Sequence, residues 1–441
     1  MQLTGWGRYP RHESAVLEPD DFDEVGRLQR EAAGFVARGN GRAYGDAAIG
    51  VGSTLLTRRL DRIISFDPAT GRLAVEAGVL LADILAFAVP RGLFPPVVPG
   101  TKFVSVGGMV AADVHGKNHH VDGGFGRYVE AFDLALPDGS RLTCSARDNG
   151  EVFRATVGGM GLTGTILSAT FRLRRIETAF MRQRTIAADN LDAAMAALEA
   201  AADAAYSVAW IDSLARGAGL GRALVFCAEH AGAAALPRGT PAFPNPRRRR
   251  LTVPVDMPSF ILNRYSVAAF NDLYFRRGAA KAGRDVLVAC EPYFFPLDAM
   301  AGWNRIYGAR GFVQHQSAIP KPASRAALGE ILDCVSRLGA PSFLAVLKLL
   351  GPGDGLMSFP LEGYTLALDF PVSKGALALL DDIDAIVVAA GGRLYLAKDA
   401  RQAPATFAQG YAHALPQFRE LRRAIGAAGR IESQLSRRLR I

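Results

Sequence analysis

Three of the chain's seven histidines crowd one stretch, AADVHGKNHH (Ala111 to His120), and Lys117 stands between His115 and His119. Imidazoles four apart have the spacing of helical zinc sites. A metal centre, a catalytic cluster and a merely crowded loop are therefore the three readings to weigh. Chemistry disfavours the metal. Gly116, Lys117 and Asn118 are poor residues for a helix that must hold a cation, and a lysine there repels a dication. A second stretch, ARGNGRAYGD (Ala37 to Asp46), sets Gly39, Gly41 and Gly45 after a strand-like run. Glycine lets backbone N–H groups close on an anion, which is how a phosphate cradle is built. This stretch is not the dinucleotide fingerprint, because Tyr44 occupies the third glycine's place and no helix pattern follows. Nor is it a P-loop, which needs Gly-Lys-Ser/Thr.

One glycine-rich turn is usually only a turn. Here two more follow, PGTKFVSVGGMVAADVHG (Pro99 to Gly116) and ATVGGMGLTGTI (Ala155 to Ile166). Three such loops suit a long ligand with two phosphates and a flat ring system, held largely by backbone. A flavin dinucleotide fits that description better than a mononucleotide.

The elements that must carry these loops are short and turn-punctuated. GFVARG, the pair RIISFD and RLAVEAG across DPATG, and the pair AFDLAL and SRLTC across PDG read as strands. VLLADILAFAVPRG has helical periodicity and stops at Gly92. From Asn190 to Ala205 an alanine-rich amphipathic helix opens a second region. There, helices at Ala326 to Leu338 and Lys374 to Ala390 alternate with strands SFLAVLKLLG, YTLALDFP and RLYLAKD. The pattern is α+β, not strict βαβ alternation. In RLYLAKD, strand alternation puts Leu394, Leu396 and Lys398 on one face.

At 441 residues, the chain predicts two domains or more. With 49% hydrophobic and 21% charged residues it is globular, and wholesale disorder is excluded. Its 51 Lys and Arg against 42 Asp and Glu leave a net +9, suited to an anionic ligand or a membrane surface. The basic residues are spread out and no nucleic-acid motif accompanies them, so nucleic acid is not expected as a partner. Cys144, Cys227, Cys290 and Cys334 form no C-x-x-C pair and read as reduced, mostly buried thiols of a cytoplasmic protein. MQLTGWGRYPRHES lacks an apolar leader core, and no apolar run reaches the roughly 18 residues of a membrane span. PRGTPAFPNPRRRR (Pro237 to Arg250) reads as a solvated loop or as a basic segment near an anionic membrane.

The motifs ARGNGRAYGD, PGT–VSVGG, DVHGKNHH, TVGGMGLTG, WNRIYG, GFVQHQ, LKLLGP and GGRLYLAKD are spread along nearly the whole chain, each occurring once. Through them the chain resembles the decaprenylphosphoryl-β-D-ribose 2′-oxidase family, within the vanillyl-alcohol-oxidase-type (PCMH-type) flavoproteins. The resemblance implies a two-domain α+β architecture. An FAD-binding PCMH-type domain would span 1–178 and an α+β substrate domain 179–395, with residues 396–441 returning to the first.

It also implies site residues. The pyrophosphate would lie on Ala37, Arg38, Gly39, Asn40, Gly41, Arg42, Ala43, Tyr44, Gly45, Asp46 and Ala47. Gly100, Ser105, Val106, Gly107, Gly108, Ala112, Asp113, Val114 and His115 would assist, and Ile166 and Tyr395 would complete the FAD contacts. Many relatives in the wider superfamily attach FAD through a histidine of the first loop. Arg42 stands there in this chain, which implies non-covalent FAD; the residues between His115 and His119 already argue for no metal. Tyr44, His115, Lys117, Trp210, Gln314, Gln316, Lys348, Thr365 and Lys398 would form the substrate pocket, with Lys398 or His115 as the catalytic base.

The implied reaction converts the 2′-hydroxyl of a polyprenyl-phosphate-linked ribose into a ketone. A partner keto-reductase would complete an epimerisation to arabinose, quinone or oxygen would take the electrons, and the protein would sit peripherally on a membrane. An aldonolactone or alditol oxidase is the alternative, and a non-catalytic lipid-phosphate-binding subunit is a third reading. Two departures from the family pattern stand out. Ala367 replaces a cysteine that the chemistry does not need, and Phe294 stands where a tyrosine is expected.

Overall fold

Strands of three to nine residues with one apolar face must pair and cover that face to be stable. The computed structural model describes residues 1–244, 251–258, 260–339, 342 and 344–441, and in it most of the early strands fall into two sheets, beside two short two-stranded pairs. Ala15–Leu17, Ser53–Leu56 and Phe35–Arg38 lie parallel in that order. Arg141–Ser145, Val129–Ala135, Thr165–Arg172, Arg72–Glu76 and Ile63–Asp67 make a five-stranded antiparallel sheet. The two turns read from sequence, DPATG and PDG, close its two hairpins.

The second layer is one antiparallel sheet of eight strands. Their order is Asp285–Ala289, Phe180–Ala188, Ala223–His230, Tyr206–Ile211, Ala345–Leu350, Gly363–Pro371, Phe312–Pro320 and Arg393–Leu394. Helices Leu191–Ala200, Lys321–Leu338 and Lys374–Ala389 cover one face with a dry core that includes Leu198, Leu328, Ile331, Leu347, Leu366, Leu368 and Ile383. Side chains alternate across a strand, so the neighbours of those core residues point the other way. Val208 and Trp210, Val346 and Lys348, and Gln314 and Gln316 all face away from the helices, into a cavity. The C-terminal stretch folds back, and Phe407, Tyr411, Leu415 and Phe418 pack with Phe35 and Val36 of the first parallel sheet.

Three boundaries differ from expectation. The Lys321–Leu338 helix begins five residues before Ala326, because Pro322 is tolerated in a first turn, where its missing N–H is not needed. The alanine-rich helix starts at its Asn190 cap, whose side chain accepts from the Ala193 amide at 2.9 Å. It ends at Ala200, since beyond Leu198 no large apolar side chain continues its buried stripe. RLYLAKD is not a strand to Asp399. Only Arg393–Leu394 pairs at the sheet edge, and the Tyr395 carbonyl then accepts from the amides of Lys398 (2.9 Å) and Asp399 (3.0 Å), closing a turn. Lys398 is therefore placed by a turn and not by strand alternation.

All four cysteines are free, and no described helix is long and apolar enough to cross a membrane. Arg247 to Arg250, the arginine run singled out in the sequence, lie outside the described residues.

Candidate active site

The cavity between the glycine loops and the bare face of the large sheet has a volume of about 600 Å³. The first loop enters it directly from the Phe35–Arg38 strand. Gly41 sits at φ +61, a left-handed conformation that suits glycine, and Asn40 donates to the Phe103 carbonyl at 2.7 Å, tying the first loop to the second. The Tyr44 amide is committed to the Ala397 carbonyl at 2.9 Å, whereas the amides of Gly39 to Ala43 take no backbone carbonyl among the described residues. A row of free N–H groups lining a cavity is what an anion needs. In the second loop the amides are largely spent: Val106 donates to Val79 and Gly107 to Ala77, while Gly108 donates to the Ser105 hydroxyl.

Three buried polar atoms on this wall have no partner among the described residues: Arg42 Nε, His115 Nδ1 and the Tyr293 hydroxyl. A buried polar atom left unpaired costs roughly 1–3 kcal/mol, so such atoms in a cavity wall point to a ligand. Together with the free amides, they fit a pyrophosphate and a flat heteroaromatic ring.

The opening histidine cluster disperses. His115 lines the cavity, and its Nε2 accepts from Gln316 Nε2 at 3.0 Å. His119 Nδ1 accepts the Gly351 amide at 3.1 Å, while His120 Nε2 lies 3.1 Å from the Ala204 carbonyl. No group of three His, Cys, Asp or Glu able to hold a metal exists among the described residues.

The cavity does gather cations. Lys117, Lys348 and Lys398 all line it. Burial and then Lys348 pull the Lys117 ammonium down to about 7, and burial brings Lys348 to about 8. Lys398 lies 3.5 Å from the Tyr44 ring centroid. Burial lowers its pKa and Asp369 opposes that, while burial raises the Asp369 carboxyl. Burial, with Lys348 second, keeps His115 neutral. Gln316 spends its amide N–H groups on His115 and on Thr365 Oγ1 (3.2 Å), and Gln314 donates to Asp369. Both glutamines are thus oriented through their amide N–H groups, Gln314 by Asp369 and Gln316 by His115 and Thr365, which leaves their carbonyl oxygens as acceptors. This cavity collects fixed acceptors, low-pKa amines and a neutral imidazole, the groups that recognise and deprotonate a sugar hydroxyl.

Most of the expected residues meet here, but six lie behind the wall. Arg38 donates to the carbonyls of Thr4 (2.7 Å) and Ala48 (3.3 Å). Gly45 packs so closely on Asp399 that a Cβ would fall 2.0 Å from its carbonyl oxygen. Asp46 pairs with Arg438 at 2.9 Å, and Val106 is core. Asp113 accepts from the Gly126 amide and the Ser358 hydroxyl. Thr365 is fully buried beneath Gln316. These residues shape the site without facing the cavity.

Sequence reasoning missed Asp298, Tyr293 and Asp369. Asp298 accepts from the Thr101 hydroxyl and the Lys102 amide, both at 2.8 Å. Tyr293 holds the Lys117 Nζ 4.1 Å from its ring centroid and accepts it at its carbonyl. Phe294, the departure noted above, also lines the cavity, tilted against Phe94 and edge-on to Tyr206, and the neighbouring Tyr293 brings a phenol to the same wall. Asp369, in YTLALDFP, is the one charged residue of its strand, a signal available in the sequence.

An FAD binding domain family matches residues 14–145. Over its full length the chain is 35% identical to decaprenylphosphoryl-β-D-ribose oxidase of Mycolicibacterium smegmatis, covering 97% of that protein. It is 35% identical to an uncharacterised protein of Streptomyces coelicolor, over 82% of this chain and 100% of that one. Over 44% of this chain, it is 29% identical to mouse L-gulonolactone oxidase, covering 46% of that enzyme.

Proposed function

The chain belongs to the decaprenylphosphoryl-β-D-ribose oxidase family and is an FAD-dependent oxidoreductase, and from that premise we propose that it oxidises the 2′-hydroxyl of a polyprenyl-phosphate-linked ribose to the ketone. The observation that carries the substrate is the convergence of Lys117, Lys348 and Lys398 with the two oriented glutamines in one cavity. A phosphate calls for cations, and sugar hydroxyls call for fixed acceptors. FAD, when bound, supplies the acceptor for the electron pair that leaves the carbinol carbon.

The hydroxyl proton goes to Lys398. His115 Nε2 is already occupied by the Gln316 amide, so this imidazole offers a donor, Nδ1–H, and no free lone pair. Lys398, with its amine pulled toward neutrality by burial, is able to accept. Once protonated, it stabilises the negative charge that builds beside it. A keto-reductase partner, reoxidation by quinone or oxygen, and peripheral membrane binding follow from this reading.

The test is anaerobic. The yellow protein should bleach on mixing with a polyprenyl phosphoribose and stay oxidised with free ribose or with L-gulonolactone. Bleaching by the lactone alone would replace this reading with the lactone-oxidase one.

A second expectation concerns attachment. The guanidinium of Arg42 is no nucleophile toward a flavin, and it is fixed 3.9 Å over the Trp6 ring. Boiling or acid should therefore release all the flavin into the supernatant as FAD. Flavin left in the precipitate would show a covalent bond.

A further inference from the structure

Eight of the fifteen large apolar side chains exposed among the described residues fall between positions 251 and 274. Leu251 is 75% exposed, Phe260 73%, Tyr265 73% and Leu273 49%. A soluble monomer seldom carries so dense an apolar patch without a use for it. Four of the eight, Tyr265, Phe270, Leu273 and Tyr274, lie on the helix Arg264–Ala279, which buries only Val267 and Asn271 along its 16 residues.

The patch is continuous with the cavity. Trp210 lines the cavity wall, and its ring centroid lies 4.8 Å from that of Tyr274, which also lines the cavity and is 38% exposed. Tyr274 stacks on Phe270, one helical turn earlier, at 5.8 Å and 18°. Val208 and Phe226 extend the same wall inward. An apolar path thus leads from the polar end of the cavity, where the lysines stand, to the outer face of this helix. The helix also bears Arg264, Arg276 and Arg277 against one acid, Asp272, so its flanks are basic. Apolar side chains with basic flanks suit the interface of an anionic bilayer.

We propose that the Arg264–Ala279 helix, with the exposed residues that precede it, docks on the surface of an anionic membrane, and that the substrate's polyprenyl chain reaches the cavity from the bilayer past Tyr274. This rests on the lipid-substrate reading above and adds to it the face and the route. The phosphosugar head enters among the lysines while the chain stays on the aromatic path, so the long lipid need not leave the membrane in order to react.

The experiment uses the full chain loaded with FAD. Flotation with vesicles of phosphatidylcholine and phosphatidylglycerol is compared for wild type and for Leu251→Ser/Phe260→Ser/Tyr265→Ser/Leu273→Ser, none of which lines the cavity. The variant should partition at least about tenfold less, since four apolar anchors are lost. It should also reduce its flavin slowly with a long-chain phosphoribose embedded in vesicles, yet match wild type with a ten-carbon, water-soluble analogue. Equal flotation and equal turnover of the embedded lipid would overturn the proposal. So would a wild-type dimer that the substitutions split with no effect on vesicle binding, because the patch would then be a contact between copies. Failure of wild type with both substrates would instead overturn the assigned reaction. Should the fourfold variant not fold, Tyr265→Trp gives a second readout. Bromine on the acyl chains should quench its extra emission, and unquenched emission from vesicle-bound protein would sink the idea.

Discussion

Lys398→Met should load FAD and fold normally yet reduce its flavin about 100-fold or more slowly, a loss of the order seen when one preorganised donor is removed. The methionine keeps most of the stem's bulk against the Tyr44 ring, so packing is little changed. What goes is the amine that takes the hydroxyl proton and the cation it then becomes. Both interactions strengthen as the electron pair leaves, so kcat should fall more than KM rises. Anaerobic rapid mixing measures this, and reduction within a few-fold of wild type would remove Lys398 from the catalytic role. Lys398→Met should also simplify the pH profile by removing the limb in which rate rises as the amine loses its proton. Below that pKa the wild-type amine is already protonated and unable to accept.

The second large effect is expected at Arg438, far from any substrate. Its guanidinium forks to Asp46, with Nη2–Oδ1 at 2.9 Å and Nε–Oδ2 at 3.1 Å. It also reaches Asp399 Oδ2 at 2.9 Å, a charge contact without hydrogen-bond alignment, and donates to the Gln402 carbonyl at 2.9 Å. Asp46 ends the first glycine loop and Asp399 follows Lys398. One arginine therefore clamps the cofactor loop to the turn that carries the base, and the close approach at Gly45 leaves little slack. Burial would lower the pKa of Arg438, but the two carboxylates raise it above its ordinary value. Burial would likewise raise Asp399, but Arg438 and the amides of Arg401 and Gln402 hold it below the usual carboxylate range.

Arg438→Met leaves two buried carboxylates without their cation, and breaking such a pair costs about 3–5 kcal/mol. The denaturation midpoint should fall accordingly and FAD should bind more weakly. An unchanged midpoint with full FAD occupancy would contradict the clamp. The pH dependence has a definite sign. A depressed folded pKa contributes stability above the unfolded carboxylate value near 4, and that stability is lost as pH falls through the folded pKa. Wild type should therefore lose more stability than Arg438→Met on acidification below about pH 4.

Much of this was legible in the chain itself. Glycine-dense loops, hairpin turns such as DPATG and PDG, and period-two runs are local signals, because turn chemistry and strand alternation act over a few residues. They were enough for the α+β class and for a flavin dinucleotide as the ligand of three loops. The family motifs led to Gln314 and Gln316, between which His315 turns into the opposite layer against Asp384 at 3.1 Å. The motifs also led to Lys117, Lys348 and Lys398.

Tertiary structure decided the rest. Three histidines alike in sequence meet three fates because a different distant group approaches each one: the Gln316 side-chain amide, the Gly351 N–H and the Ala204 carbonyl. RLYLAKD alternates like a strand, yet the strand stops at Leu394 and a turn aims Lys398 into the cavity. Asp46 looks like part of a phosphate loop until Arg438, 392 residues later, claims its carboxylate. The physical reason is common to all three. Neighbours along the chain set only the local preference; where a strand stops, and which partner a buried charge or imidazole meets, is set by what the closed fold brings within hydrogen-bond reach, and no spacing in the sequence encodes that distance.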